Sequence, residues 1–308
     1  MNSVAALIAI AGPTASGKSR LAVDAALEVG GEIVNCDSMQ LYRKMEIGTA
    51  KPAAEERRLV PHHLYGIIDP DEYYSAGRYM TEARRICREI AQRGKIPVVV
   101  GGTGLYLRAF VEGVFQGPGR SEEVRRRIRA VGDQKGFDYL YRLLFRKDPE
   151  AARKISSRDH IRMVRALEIY FLTGEPISSL KPSRKALKDF KILKIGLNLP
   201  RPILYARINR RVEEMFWSGL LDEVRELLAS GYALGSKGFE ALGYRQALAV
   251  LKGELTRDQA IELTQRDTRR YAKRQMTWFR REQDMHWITE AGEEPAALEQ
   301  LLQLYRTL

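Results

Sequence analysis

The sequence predicts an α/β fold: a P-loop-containing parallel sheet flanked by helices, with a helical insertion domain. Three observations carry this. Short, unbroken apolar runs alternate with amphipathic helical stretches in the first third of the chain, the pattern of strands buried on both faces and joined by crossover helices. The octapeptide GPTASGKS, at 12–19, lies between one such run and one such helix. From residue 114 to about 184, strand-like runs stop and charged residues crowd in.

Taken in order, residues 4–11 (VAALIAIA) form an apolar run stopped by Gly12 and Pro13, which reads as a central strand. A helix follows over 18–29, with Leu21, Ala22, Ala25 and Ala26 on one face. Residues 32–37 (EIVNCD) and 96–100 (IPVVV) read as further strands, the second preceded by a helix over 76–93. His62 and His63 follow Pro61 without metal-ligand spacing and read as a turn. Within the insertion, 121–130 and 160–172 read as amphipathic helices, while 191–199 (KILKIGLNL) returns to the sheet. Pro202 opens a long helix through 228 that Gly231 stops. A capping box from Thr256 to Gln259 starts another helix that runs towards Arg281. A short strand at 285–288 and a helix at 295–305 close the chain. The expected division is 1–115 as the first part of the core, 116–188 as the insertion, and 189–308 as the rest of the core with a basic helical region.

A chain of 308 residues, 44% hydrophobic and 29% charged, can bury a core without disulfide or metal staples and is neither disordered nor collagen-like. Its longest apolar runs fall well short of the ~20 residues of a membrane span. The 51 Lys and Arg outnumber the 39 Asp and Glu, giving a net charge of +12 that suits a polyanionic partner. Nucleic acid is the first candidate and an anionic membrane the second; a merely basic protein is an equal alternative on charge alone. Cys36 and Cys87 form no CxxC pair and read as small hydrophobes in a reducing compartment. The first residues lack the basic flank of a signal peptide, so a cytoplasmic location is expected, with nothing pointing beyond a monomer.

The octapeptide Gly12, Pro13, Thr14, Ala15, Ser16, Gly17, Lys18 and Ser19 fits the phosphate-loop pattern GxxxxGK[ST]. By chance it would arise in about one chain in a hundred of this length, and its strand and helix flanks lower that further. Backbone N–H groups and a helix N-terminus surround phosphate oxygens in such a loop, Lys18 adds a positive charge, and the Ser19 hydroxyl reaches a magnesium ion. A ligand with at least two phosphates is implied. A triphosphatase would also place an Asp at the end of an apolar strand. The 96–100 run ends instead in Gly101, Gly102, Thr103 and Gly104, which leaves Asp37. Asp37 is followed by Ser38, Met39 and Gln40 rather than a water-positioning arrangement, so the loop suits a diphosphate that departs, not one that water hydrolyses. Asp37 reads as a general base or metal ligand at the carboxyl end of its strand, or as a simple turn former. The glycine loop around Thr103 is either a strand-to-helix turn or part of the same crevice.

Two basic clusters follow. Residues 120–129 hold five arginines and two glutamates, and 266–281 hold seven Lys or Arg against one Asp, interleaved with Tyr271, Trp278 and Phe279. Phosphate contacts beside stacking surfaces suit RNA. A solvated helix face is the even alternative for the first cluster and the weaker one for the second.

These blocks, with DSMQLYRKMEIGTAKP at 37–52, PHHLYGIIDPDEYYSAG at 61–77, VGGTGLYL at 100–107, RMVRALE at 162–168, ALGYR at 241–245 and AKRQMTWFR at 272–280, resemble the bacterial tRNA dimethylallyltransferase (tRNA isopentenyltransferase) family. The resemblance spans nearly the whole chain in order. It implies transfer of a dimethylallyl group from dimethylallyl diphosphate to the exocyclic N6 amine of the adenosine 3′-adjacent to the anticodon, with Mg2+. It also implies that the insertion and the carboxyl-terminal region clamp the anticodon stem-loop. Carried over by position, Lys18 and Ser19 hold the diphosphate and its metal, Asp37 accepts the amine proton, Arg211 is a second diphosphate ligand, and Thr103 lines the channel at the reacting centre. The implied tRNA contacts are Asp37, Ser38, Met39, Gln40, Thr103, Arg125, Ile161, Arg162, Arg165, Gly243, Tyr244, Arg245, Lys273, Arg274, Gln275 and Trp278. Ser19 stands where many relatives carry Thr, and Glu240 departs from the basic or amide residue of the family. The rival readings are prenylation of a free adenine nucleotide or phosphoryl transfer by a P-loop nucleotide kinase, against which the large basic carboxyl-terminal half argues, and a non-catalytic RNA-binding module.

Overall fold

The computed structural model describes residues 4–114, 117–180 and 185–308. The chain divides into two compact units, Met1–Glu112 with Ala186–Leu308, and Gly113–Lys185. The expected limit at 115 and 116, and the change of texture near 184, lie outside the described residues.

The larger unit holds strands β1 (Ala5–Ala11), β2 (Gly31–Asn35), β3 (His62–His63), β4 (Ile96–Gly101), β5 (Phe190–Leu197) and β6 (Met285–Ile288). They form one sheet in the order β3-β2-β4-β1-β5-β6, and every pairing is parallel. Alternation decides how it is covered: Leu7, Ala9 and Ala11 of β1 enter one apolar core, and Ile8 and Ile10 enter the other. Both faces are buried, which is why β1 and β4 read as unbroken apolar runs rather than alternating ones. The covering helices are α1 (Lys18–Val29), α2 (Ala54–Leu59), α3 (Ala76–Gln92) and α4 (Gly104–Glu112) in the first segment.

The smaller unit consists of α5 (Glu122–Lys135), α6 (Phe137–Lys147), α7 (Pro149–Lys154) and α8 (His160–Thr173) around its own core of Ile128, Leu140, Leu144, Met163 and Leu167. Asp148 caps α7 by accepting from the Ala151 N–H at 2.9 Å and also accepts from Ser178. The larger unit resumes with α9 (Arg201–Trp217), α10 (Leu220–Ala229), α11 (Tyr244–Leu251), α12 (Arg257–Phe279) and α13 (Pro295–Arg306). The capping box is present: the Thr256 side chain accepts from Gln259 N, and Gln259 Oε1 accepts from Thr256 N.

Three sequence expectations are corrected. The long helix expected over 202–228 is two helices, broken where Gly219 adopts φ 100°; the apolar spacing continues across the break and so hides it. The strand expected through 37 ends at Asn35, which leaves Asp37 on the loop beyond. His62 and His63 form an edge strand rather than a turn. Ile33 pairs with His62, the Ile33 N–H donates to Pro61 O at 2.9 Å, and His63 Nε2 lies 2.7 Å from Glu32. A run of two residues has no periodicity to betray it.

Gly101 ends β4 where a Cβ would lie 2.1 Å from the carbonyl carbon and oxygen of Cys36. Backbone cannot yield cheaply, so Gly101→Ala is expected to destabilise the fold by about 2 kcal/mol or more. Gly235→Ala, at a position with nothing within 4 Å, should change stability by less than about 0.5 kcal/mol. Urea unfolding of the two variants checks the contrast, and equal midpoints would refute it.

Candidate active site

Parallel strands deliver their carboxyl ends to one edge of a sheet, and here β1, β4 and β2 are neighbours. β1 leads into the phosphate loop, which ends at Gly17, the left-handed residue (φ 87°) preceding α1. Lys18 Nζ donates to Pro13 O at 3.3 Å and has no carboxylate partner among the described residues. The loop is held from outside: Arg207 Nε donates to Ala15 O at 2.7 Å, and Gly292 N donates to Ser16 O at 3.0 Å. Ser16 Oγ is buried without a hydrogen-bond partner.

Beyond β2, the fully buried Asn35 orients Asp37. Its Oδ1 accepts from the Asp37 N–H at 2.8 Å, and its Nδ2 donates to Asp37 O and Leu64 O at 3.0 and 2.9 Å. The Asp37 carboxylate accepts from Met39 N at 3.0 Å through Oδ1 and is in no ion pair among the described residues. Beyond β4, Thr103 Oγ1 accepts from Ser38 N at 2.9 Å and donates to Ser38 Oγ at 3.2 Å, tying the two loops together. Arg211, half-buried on α9, also makes no ion pair among the described residues, and desolvation together with neighbouring Arg207 lowers its pKa from the usual value.

Two chambers open at this edge. The larger, of about 550 Å³, is lined by Thr14, Asp37, Ser38, Met39, Arg211, Tyr271 and, further out, Arg245, Arg270 and Arg274. The smaller, of about 260 Å³, is lined by Lys18, Ser19, Lys51, Arg207 and Arg211. Arg211 belongs to both. The smaller chamber is predominantly cationic, its Lys and Arg outnumbering Glu56, Glu214 and Glu293, and the larger carries Asp37, Glu240 and Asp267 among its arginines. Among the described residues no group of three or more His, Cys, Asp or Glu can hold a metal ion. The Ser19 hydroxyl lines the smaller chamber, and one hydroxyl together with substrate oxygens and water is a hard oxygen set that would suit magnesium. Burial pushes the Cys36 thiol up to about 12, so it is no nucleophile despite lying beside Asp37.

Several residues expected at the tRNA surface have internal partners instead. Arg125 is buried in an ion pair with the fully buried Glu168 at 2.9 Å, which Arg165 shares at 2.8 Å. Tyr244 has no exposed surface, and its hydroxyl donates to Glu223. Gly243 is buried beside it as the N-cap of α11, where its N–H donates to Gln246. Gln40 is buried, its amide donating to Thr49 O and Ala50 O at 3.1 and 3.0 Å. Gln275 is buried between two loops, and Trp278 lies over Gly104, where a Cβ would come within 2.1 Å of the ring, with Arg108 stacked 4.5 Å away. Those left accessible are Ile161, Arg162, Arg245, Lys273 and Arg274, with Asp37, Ser38, Met39, Thr103, Arg165 and Trp278 partly so. Asn35 and Arg207 escaped the sequence reading, and Tyr271 entered it only as a stacking surface of the basic cluster. An Asn closing an apolar strand was the one available signal; the other two depend on partners distant in the chain.

An IPP transferase family profile matches residues 40–282, and an isopentenyl transferase profile matches 5–74. The chain is 48% identical over 302 residues to the tRNA dimethylallyltransferase of Koribacter versatilis, covering 98% of each. Among solved structures it is similar to the full-length tRNA isopentenylpyrophosphate transferase of Bacillus halodurans, at 38% identity and a TM-score of 0.72 over 98% of this chain and 96% of that one. It is also similar to a eukaryotic dimethylallyltransferase acting on tRNA, at 28% identity and a TM-score of 0.79 over 98% of this chain and 77% of that one.

Desolvation pushes Lys18 down from 10.5 to about 8, partly opposed by Asp37 and reinforced by Arg211. A lysine whose folded pKa lies below its unfolded value costs stability below the folded pKa, and that cost disappears as pH rises through the unfolded one. Lys18→Met is accordingly expected to be more stable than the parent at about pH 7, with the difference closing towards pH 10.5. Added inorganic pyrophosphate should reverse the order at neutral pH by stabilising only the parent. Urea midpoints across this range test it, and a constant or opposite difference would refute the assignment.

Proposed function

The chain belongs to the IPP transferase family of tRNA dimethylallyltransferases, and on that footing we propose that it transfers a dimethylallyl group from dimethylallyl diphosphate to the exocyclic N6 amine of the adenosine 3′-adjacent to the anticodon, acting as a cytoplasmic monomer. The observation that carries the assignment of roles is the pair of chambers sharing Arg211, one predominantly cationic and one carrying Asp37. A diphosphate fits the first and a purine the second. The basic rim of Arg245, Arg270 and Arg274 favours an RNA-borne adenosine over a free nucleotide.

The exocyclic amine is a weak nucleophile because its lone pair is delocalised into the ring. Asp37 accepts an amine proton as the nitrogen bonds to the allylic carbon, and the carbon–oxygen bond breaks with its electron pair leaving on the diphosphate. Lys18, Arg211 and the loop N–H groups stabilise the charge that gathers there. Ser19 would hold a magnesium ion, which when bound would add to the neutralisation of the diphosphate oxygens. Asn35 keeps the Asp37 backbone in place, while Met39 N and Thr103, through Ser38, hold the loop around the carboxylate. Enclosure of the chamber keeps water from the allylic carbon. Among the described residues no helix is long and apolar enough to cross a membrane.

Asp37→Ala should lower prenylation of tRNA by about 10²- to 10⁴-fold while tRNA binding in a gel-shift assay is retained. Mass spectrometry of the nucleosides checks the product, and full turnover by the variant would remove Asp37 from the base role. Incubation with free AMP in place of tRNA is expected to give no product.

A further inference from the structure

Three elements distant in the chain meet at one side chain. Gln275, on α12 and 5% exposed, accepts from the Thr14 N–H through Oε1 at 3.0 Å and donates to Gly102 O through Nε2 at 2.8 Å. Its orientation is fixed by its partners, since an N–H can meet only the amide oxygen and a carbonyl only the amide nitrogen. Thr14 belongs to the phosphate loop. Gly102 precedes Thr103, whose hydroxyl holds the loop carrying Asp37. A Cβ on Gly102 would lie 2.3 Å from Gln275 Nε2 and 3.4 Å from Asp37 Oδ2, so the strut passes close to the carboxylate. Tyr271, one turn earlier on α12, directs its hydroxyl towards both Gln275 and Thr103.

We propose that Gln275 is a positioning residue of the transfer reaction, a strut that fixes the separation between the loop holding the diphosphate and the loop holding the base. The inference rests on the proposed function above, since it matters only where both loops serve one reaction. Both ends of Gln275 already bond within the protein, which makes its contribution to the reaction one of placement rather than of substrate binding. What its loss changes is the alignment of the allylic carbon, anchored through its diphosphate, with the amine and Asp37. A displacement of about 1 Å between reacting groups costs roughly 10²-fold in rate. Only a neutral amide both donates and accepts at the two required ends: Met does neither, and ionised Glu only accepts.

Kinetics of Gln275→Met and Gln275→Glu with tRNA and dimethylallyl diphosphate test this, alongside direct binding of inorganic pyrophosphate. For Gln275→Met, kcat is expected to fall about 10- to 100-fold while both KM values and the pyrophosphate Kd stay within about threefold. In Gln275→Glu one oxygen still accepts from Thr14, but the other opposes Gly102 O until it is protonated. The ratio of variant to parent kcat should therefore rise as pH falls from about 8 to about 6, a recovery that a merely structural role would not give. An unchanged kcat in Gln275→Met, a loss of pyrophosphate affinity in proportion to kcat, or a flat ratio in Gln275→Glu each overturns the proposal. Should Gln275→Met unfold, the pH ratio of Gln275→Glu decides. A parent enzyme that forms no prenylated tRNA overturns the proposed function and this role together; an active parent with indifferent Gln275 variants overturns this role alone.

Discussion

Three parallel strands lying side by side set everything else in this molecule. Because β2, β4 and β1 are consecutive in the sheet and run the same way, the loops that follow them leave from one edge within a few ångströms of each other. The pairing continues past the strands themselves: Cys36 N donates to Val100 O at 2.7 Å, and Thr103 N donates to Cys36 O at 3.2 Å. Backbone hydrogen bonds of the sheet thus extend to Cys36, the residue immediately before Asp37. Gly101 permits it, since any side chain there would strike the Cys36 carbonyl. The Asp37 carboxylate is placed by backbone as much as by side chains, and the buried Asn35 completes its setting.

How much could be read in advance follows from how local each determinant is. Doubly buried strands announce themselves as apolar runs, and the phosphate loop announces itself because its chemistry lies in eight consecutive residues. Asp37 was legible from its place after a strand. The break at Gly219 was not, because one glycine between two helices of matching apolar phase leaves the pattern intact. Nor could Arg125 or Tyr244 be told from surface residues, since the partners that bury them, Glu168 and Glu223, lie 43 and 21 residues away in sequence. Family resemblance marked these residues as RNA contacts, and in the structure Arg125 and Tyr244 have internal partners.

The cations of the site divide by whether they already have a partner. Arg207 is spent on the loop, bonding Ala15 O and Glu293. Lys18 and Arg211 have no carboxylate among the described residues, and both are held below their usual basicity by desolvation. Leaving charges in that condition is unfavourable in the free protein, and an anion of several charges relieves it. In the proposed reaction the same pair would face the charge that grows as the allylic bond breaks, so the arrangement that costs stability would be the one that stabilises the transition state.

Asp267 draws together Arg245 and Arg266 at 3.1 Å and Arg270 at 3.8 Å, with the Gln246 amide at 3.3 Å, on the rim of the larger chamber. These guanidiniums are gathered before any RNA arrives, and they are partly neutralised from within by a carboxylate that cannot diffuse away. When phosphates replace it as their partner, fewer mobile ions are exchanged with the bath than the arginine count suggests. Binding at this rim is therefore less sensitive to ionic strength than an open row of three arginines would be.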